Sequence, residues 1–241
     1  MTLTKAPVPT GTRSASRDVD AFLSQARSVA PVAERAGRLV FTLDATMSRQ
    51  PTWDMASGVQ SAMFDAAASI GGLSVQLVYF RGFSECRASG WVGDPRRLAA
   101  LMARIDCRSG STQIGRVLSH VETEARDRPV AALVYVGDAM EESLDVLCGK
   151  AGELGLRGTK AFMFHEGGDP TAVGAFAEIA RLTGGASLAF DSRSPASLEA
   201  LLRAVAAYAA GGSAALARLG ERNREARRLI SALPSGSRPR P

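Results

Sequence analysis

Hydrophobic and polar positions change period repeatedly along the chain, between the continuous apolar runs of buried strands and the three- and four-residue spacing of helices. Strand-like runs occupy residues 38–44, 73–80, 85–92, 129–138, 159–165 and 186–191. Helical patterns occupy residues 18–30, 51–70, 94–105, 112–127, 141–155, 170–183 and 194–210. This alternation predicts an α/β domain of three layers around a mostly parallel sheet. A turn at residues 81–84 predicts that the third strand runs antiparallel at one edge.

Composition divides the chain into three parts. Residues 1–17 are rich in Thr, Ser and Pro and lack a hydrophobic pattern, which predicts a disordered N-terminus. Residues 18–212 carry the alternating pattern and form the predicted domain. Gly211 and Gly212 then interrupt the last helix, and residues 213–241 predict a basic amphipathic helical tail with a disordered end.

The formal net charge of +5 is concentrated in that tail. Residues 213–241 contain seven Arg and two Glu, which leaves 22 basic and 22 acidic residues in the rest of the chain. The body is therefore neutral overall, and only the tail is a candidate for contact with nucleic acid. It has no aromatic residue to stack on bases, so only weak, salt-sensitive contact remains. Alternatively, its apolar face docks on a partner or packs back on the domain.

Several features indicate a cytoplasmic protein. The sequence lacks a run of about 18 apolar residues, which predicts no membrane span, and its first residues lack the apolar core of a secretory signal. The cysteines Cys86, Cys107 and Cys148 are odd in number and widely spaced. This spacing argues against a disulfide framework or a thiolate zinc site, so we expect small, buried thiols.

Polar side chains gather where predicted parallel strands end. Asp44, Thr46 and Ser48 follow the first strand, Thr112 opens a helix, and Asp138 is the last residue of the strand 129–138. In open α/β sheets, ligands bind at the carboxyl ends of the strands. Three hydroxyls and two carboxylates suit a hard divalent cation, Mg²⁺ or Mn²⁺. An open coordination position on such an ion would attract an Asp or Glu from a partner protein.

These residues resemble the metal-ion-dependent adhesion site of von Willebrand factor A (VWA) domains, in which Asp-x-Ser-x-Ser is followed by a Thr and then an Asp. The resemblance covers residues 38–210 and implies a Rossmann-like fold. It implies that Thr46, Ser48 and Thr112 ligate the metal, and that Asp44 and Asp138 hold it largely through water. The segment around residues 162–185 further resembles bacterial intracellular members.

The sequence departs from the family pattern in two places. Position 46 is Thr where Ser is usual, so the alcohol is kept and a methyl group is added. Ala139 follows Asp138 where Gly is frequent, with Glu141 and Glu142 nearby, which alters the loop or adds negative charge.

Other residues at this edge allow two interpretations each. Trp53 is either an exposed partner contact or part of the packing at the helix start, and Ser111 is the alternative to Thr112. His165 ends a strand on the same edge, either as a functional residue (a partner contact or a catalytic base) or as a loop histidine with its hydrogen bonds satisfied. Thr112 and Asp138 are also candidates for helix caps.

The sequence therefore favours a non-enzymatic module that binds a protein partner through a metal. The alternative is a metal-dependent hydrolase or phosphotransferase that uses Asp44 as its nucleophile. Thr46 stands where haloacid-dehalogenase-like phosphatases have a second acid, and neither a phosphate-binding loop nor a Gly-x-Ser-x-Gly elbow occurs.

Overall fold

The structure, a computed structural model, describes residues 36–47, 50–190 and 194–234. The predicted disordered N-terminus and the helix predicted at 18–30 lie outside these residues. The six strands of the described chain form one sheet in the order β3-β2-β1-β4-β5-β6. Their bounds are β1 Gly37–Asp44, β2 Leu73–Arg81, β3 Glu85–Val92, β4 Ala132–Gly137, β5 Lys160–His165 and β6 Ala186–Ala189.

Eight helices surround the sheet in the described part of the chain. They are α1 Gln50–Val59, α2 Ser61–Ala68, α3 Pro95–Met102, α4 Ile114–Asp127, α5 Leu144–Leu156, α6 Pro170–Thr183, α7 Pro195–Gly220 and α8 Arg224–Ala232. Two separate apolar clusters show which helices cover each face. Side chains of α1, α2, α3, α7 and α8 pack on one face of the sheet, and those of α4, α5 and α6 pack on the other.

The three-layer α/β/α prediction is confirmed. Neighbouring strands pair in parallel except β2 and β3, which form the predicted antiparallel edge. The strand order places β1 beside β4, and their following helices cover opposite faces of the sheet. A crevice therefore opens between the loops that follow these two strands, at the position where open α/β sheets bind ligands.

Helix boundaries differ from the predictions in several places. The helix predicted over 94–105 ends at Met102, and the helix predicted over 194–210 continues to Gly220. The helix predicted over 141–155 begins only at Leu144, so Glu141 and Glu142 lie in the preceding loop.

Two further differences coincide with tertiary contacts. The helix predicted over 51–70 is divided into α1 and α2 at Gln60, whose buried side chain donates a hydrogen bond to the Pro95 carbonyl (3.1 Å). Helix α4 begins at Ile114 rather than at Thr112, so Thr112 lies in the preceding loop. The hydrophobic spacing of three or four residues does not reveal either of these boundaries, because each boundary depends on a tertiary contact.

The basic segment after Gly212 packs back on the domain as far as Pro234. Helix α7 runs through a kink at Gly211 and Gly212, where the backbone leaves helical geometry. The apolar side chains of Leu216, Leu229 and Leu233 are at most 1% exposed and join the core on the α7 face. Its arginines therefore lie on the outer side of a docked helix.

Helix α7 is also the one helix of the described residues that is long and apolar enough to cross a membrane. Half of the relevant segment is buried within the domain. Leu198, Leu201 and Leu202 are 0% exposed and belong to the core under the sheet. Packing in the core accounts for the buried half of that segment.

Candidate metal site

A pocket of about 280 Å³ opens at the carboxyl edge of the sheet between the loops that follow β1 and β4. Four of the five predicted metal ligands line it: Asp44, Thr46, Thr112 and Asp138. The fifth, Ser48, lies outside the described residues. The other lining residues are Met47, Ser109, Gly110, Ala139 and Glu141. Residues separated by up to 97 positions in the sequence, Asp44 and Glu141, therefore share one cavity.

Asp44 is held at the floor of the pocket by its place in the central strand. It is the last residue of β1 and only 3% exposed, because parallel neighbours flank β1 on both sides. Its Oδ1 accepts a hydrogen bond from the backbone N–H of Thr46 (2.7 Å). This short loop of hydrogen-bonded chain, typical of Asx turns, turns residue 46 toward the pocket.

The loop at residues 108–112 forms one wall and is fastened at both ends. The N–H of Arg108 donates to the Ala45 carbonyl (2.9 Å), and that of Ser111 donates to the Gly82 carbonyl (3.1 Å). Gly110 lies so close to the β2–β3 turn that an added Cβ would be 2.2 Å from the Gly82 oxygen. Only glycine allows this close approach, and the approach fixes the position of Thr112, two residues later.

Two glutamates from the loop after β4 hold the opposite side. Glu141 accepts a hydrogen bond from the N–H of Thr112 at Oε2 (3.0 Å), and its own N–H donates to Thr112 Oγ1 (3.1 Å). The carboxylate of Glu142 accepts from the N–H groups of Ile114 (2.5 Å) and Gly115 (2.9 Å). Glu142 thus satisfies the first turn of α4, where a negative charge also suits the helix dipole.

These contacts decide the two open helix-cap alternatives. The residue at the N-cap position of α4 is Gln113, which makes no side-chain cap, and Glu142 supplies the acceptors from another loop. Helix α5 begins after Ser143, five residues beyond Asp138. Neither Thr112 nor Asp138 caps a helix, so capping does not explain why both line the pocket.

A hydroxyl group lies buried near the acids of the pocket. The ring of Tyr135 extends over Gly137, so it runs toward the carboxyl edge, and it stacks on Phe80 with its centroid 6.0 Å away. Burial raises the pKa of Tyr135 far above its usual range, and the negative charges of Asp44, Glu142 and Asp138 add to the shift. The hydroxyl is therefore a neutral donor, and it has no hydrogen-bond partner among the described residues.

The proposal of Trp53 as an exposed partner contact is corrected. Its side chain is 3% exposed, its ring meets Tyr79 edge-on at 6.4 Å, and its Nε1 donates to the Met102 carbonyl (3.2 Å). Trp53 therefore belongs to the core beneath α1, as its second interpretation held. Sequence could not separate the two, because position 53 lies in the first turn of a helix whose orientation the core decides.

Neither Ser111 nor His165 lines the pocket. Ser111 is half-buried and bound through its backbone, so Thr112 is the hydroxyl that faces the cavity. The ring of His165 meets Phe176 on the α6 side of the sheet at 6.5 Å. Its Nδ1 is buried without a hydrogen-bond partner among the described residues, so the expectation of satisfied hydrogen bonds does not hold for that atom.

The thiols of the described chain are unreactive by their surroundings. Burial, together with the negative charges of Asp44 and Asp54, raises the pKa of Cys107 to about 11. The pKa of Cys86 is also raised to about 11 by burial. Both groups stay protonated at neutral pH and offer no thiolate to a metal. All three cysteines are free and half-buried rather than fully buried.

The donor set can be compared with the needs of different ions. No three His, Cys, Asp or Glu side chains within the described residues are grouped closely enough to hold a metal by themselves. The carboxylates of Asp44 and Asp138 nevertheless share the pocket with the hydroxyls of Thr46 and Thr112. This oxygen set fits Mg²⁺ or Mn²⁺ bound through alcohols and water, and it does not fit zinc.

Comparison with known proteins defines the fold. The chain is similar to the VWA domain of SpRpn10 (11% identity, TM-score 0.53), with 64% of this chain and 88% of that chain covered. It is also similar to an aerotolerance-related membrane protein from Bacteroides fragilis (17% identity, TM-score 0.51, 67% and 94% covered). It is similar as well to the human COPII-coat protein Sec24c (12% identity, TM-score 0.56), with 73% of this chain but only 32% of that chain covered.

These likenesses show that the chain has the VWA fold. No protein-family model matches the sequence, and no curated protein matches it either. Identities of 11% to 17% carry the backbone arrangement and nothing finer. Any role for the pocket must therefore be argued from its own residues.

Proposed function

We propose that this chain is a non-enzymatic interaction module of the cytoplasm, which binds Mg²⁺ or Mn²⁺ in the pocket and captures a protein partner through an Asp or Glu. The observation that carries the proposal is the convergence of two carboxylates and two hydroxyls, from three separate loops, on one pocket. Ser48 is the remaining expected ligand.

The roles of the individual residues follow from their positions. Thr46 and Thr112 offer neutral oxygens that leave the charge of the ion uncancelled, which keeps it attractive to an acid. Asp44 and Asp138 hold the bound water of the ion. Tyr135, as a buried neutral donor beside these acids, would donate a hydrogen bond to that water or to a carboxylate.

No described residue favours the hydrolase alternative over binding. Asp44 as a nucleophile would need a general acid or base within reach. His165 does not line the pocket, and the acids that do, Asp138 and Glu141, are equally accounted for by the binding function. Docking of the tail removes the apolar face of α8 as a surface for a partner, whereas its arginines stay on the outer side, so weak, salt-sensitive contact with nucleic acid is a separate and secondary prediction. Metal-assisted protein binding remains the function that the geometry supports best.

The first test is metal uptake by the full chain. Isothermal titration with Mn²⁺ should give one site in the native protein and none in Asp44→Ala. Asp65→Ala, which removes an exposed acid from α2, is the matched control and should bind as the native chain does. Circular dichroism should show that all three proteins are folded.

The second test is capture of a partner. Affinity capture from a lysate in Mg²⁺ should retain a protein that EDTA and Asp44→Ala both release, whereas Asp65→Ala should keep it. Retention that survives EDTA and Asp44→Ala equally would refute a metal-mediated contact. Absence of Mn²⁺ uptake by the native chain would refute the metal site itself.

A further inference from the structure

We propose that Glu141 is an internal acidic ligand of this pocket: its carboxylate occupies the open coordination position of the bound cation, and a partner's acid must displace it. The inference rests on the proposed function. It adds a regulatory element, because the module would then be closed to acids by its own side chain until a stronger ligand arrives.

Contacts with Thr112 place Glu141 at the site. Its carboxylate lines the pocket together with the predicted ligands. One oxygen, Oε2, accepts from the Thr112 N–H (3.0 Å), while the Glu141 N–H donates to Thr112 Oγ1 (3.1 Å). The two hydrogen bonds join the acid to an expected ligand in both directions. Oε1 then remains as a donor atom of the kind that Mg²⁺ and Mn²⁺ prefer.

The charge of the pocket supports the same assignment. Its described lining carries three carboxylates, from Asp44, Asp138 and Glu141, and no Lys or Arg. A divalent cation would leave this lining with one net negative charge, which repels a fourth carboxylate. Without Glu141 the same cation would balance the two aspartates. A partner's acid can therefore approach favourably only when the Glu141 side chain has left.

Glu141 can leave without disturbing the fold. Its side chain is exposed, whereas the next residue, Glu142, is fixed to the first turn of α4. Rotation about side-chain bonds would release the carboxylate while the backbone stays anchored at residue 142. The closed and open states then differ by one hydrogen bond and one ligand, which is a difference that a partner's binding energy can supply.

The test uses Mn²⁺ and acetate as probes, since Mn²⁺ reports its inner-shell water through the relaxation of water protons. The full chain is compared with Glu141→Gln, whose amide oxygen keeps the acceptor for the Thr112 N–H, and with Glu141→Ala. Asp145→Asn, an exposed acid in the first turn of α5 that does not line the pocket, is the control.

Both Glu141 variants should show more inner-shell water on Mn²⁺ than the native chain, and they should bind Mn²⁺ less tightly. Acetate should bind the Mn²⁺-loaded variants at least about tenfold more tightly, because the competing internal state is removed. The Asp145→Asn protein should match the native chain in all three measurements.

Equal hydration and equal acetate affinity in native and variant proteins that do bind Mn²⁺ would overturn the role of Glu141 and leave the metal site standing. If the native chain binds no Mn²⁺, both the metal site and this inference fail. If acetate binds the variants more weakly, Glu141 assists acid capture and the inference is wrong.

Discussion

The approach of Gly110 to the β2–β3 turn provides a direct test of how the fold positions the site. In Gly110→Ala, the new Cβ would lie 2.2 Å from the Gly82 oxygen and 2.4 Å from its nitrogen. Carbon and oxygen atoms in ordinary contact are about 3.5 Å apart, so the loop would have to move by more than about 1 Å. Because both partners are backbone atoms, no side-chain rotation can absorb the shift.

The expected loss of stability follows from three contributions. Overpacking of this kind costs about 1–3 kcal/mol. Loss of the hydrogen bond from Ser111 to the Gly82 carbonyl adds about 1 kcal/mol. Alanine also lowers the conformational entropy of the unfolded chain, which offsets about 0.4–1 kcal/mol of this loss. We therefore expect Gly110→Ala to lower the free energy of unfolding by about 2 kcal/mol, and the melting temperature by about 4–8 °C.

The same displacement should weaken metal binding, because Thr112 follows two residues later. Changes that misplace a ligand through its surroundings cost about 10- to 100-fold in metal affinity. The assays are urea denaturation and Mn²⁺ titration of the folded protein. Gly149→Ala is the matched control: it lies exposed on α5 with nothing within 4 Å of an added Cβ, and it should gain up to about 1 kcal/mol. A Gly110→Ala protein with native stability and native Mn²⁺ affinity would refute this account of the loop.

Three further predictions concern the edges of the domain. Glu124 accepts hydrogen bonds from Arg38 (2.9 Å), Trp91 (2.9 Å) and Gln76 (3.1 Å). Glu124→Leu should therefore cost about 3 kcal/mol in urea denaturation, because the 8%-exposed Arg38 loses its carboxylate partner and keeps its hydrogen bond to the Arg128 carbonyl. Burial opposes ionisation of Glu124, but the hydrogen bonds from Gln76 and Trp91 and the charges of His120 and Arg38 outweigh it, so its pKa is lowered. Its contribution is therefore present above the unfolded pKa of about 4.3 and lost as pH falls through the folded pKa, and Glu124→Gln should flatten the acid side of the stability profile. Leu229→Ala, at a side chain that is 0% exposed between α8 and the domain, should cost about 2–5 kcal/mol, and a value near zero would contradict the docking of the tail.

The strands were predictable because burial on both faces leaves a plain signal. β1, β2 and β4 are buried on both faces and mostly apolar, and their carboxyl ends lie within one residue of the predicted ones, although β4 begins three residues later than predicted. The first acid of the site was predictable for the same reason, since the end of an apolar run fixes where Asp44 must lie. The three-layer arrangement follows from the alternation of elements.

The contacts that shape the pocket wall were not predictable in this way. Glu142 satisfies the first turn of α4 from 27 and 28 positions away, so a local search for a cap near Thr112 finds the wrong residue. The pattern of hydrophobic and polar positions over residues 110–115 does not show that Gly110 must contact Gly82. The proximity of Glu141 and Glu142 to Asp138 in the sequence was visible, but which glutamate faces the cavity depends on how the loop folds.

The two sides of the pocket are built differently, and this difference bears on how the site would work. Asp44 is held in a central strand, and the Thr46 N–H is bound to its carboxylate, so these two residues are fixed by the sheet. Thr112 depends on three loop contacts, at Gly82, Ala45 and Glu141, and one of these partners is an exposed side chain. A partner that removes Glu141 would also remove a hydrogen bond from the Thr112 backbone. Binding of an acid should therefore loosen the loop at 108–112 while the β1 side stays unchanged. When acetate is added to the Mn²⁺-loaded protein, the amide hydrogen exchange rate should rise at Thr112 and stay the same at Thr46. Unchanged rates at both amides would contradict the coupling.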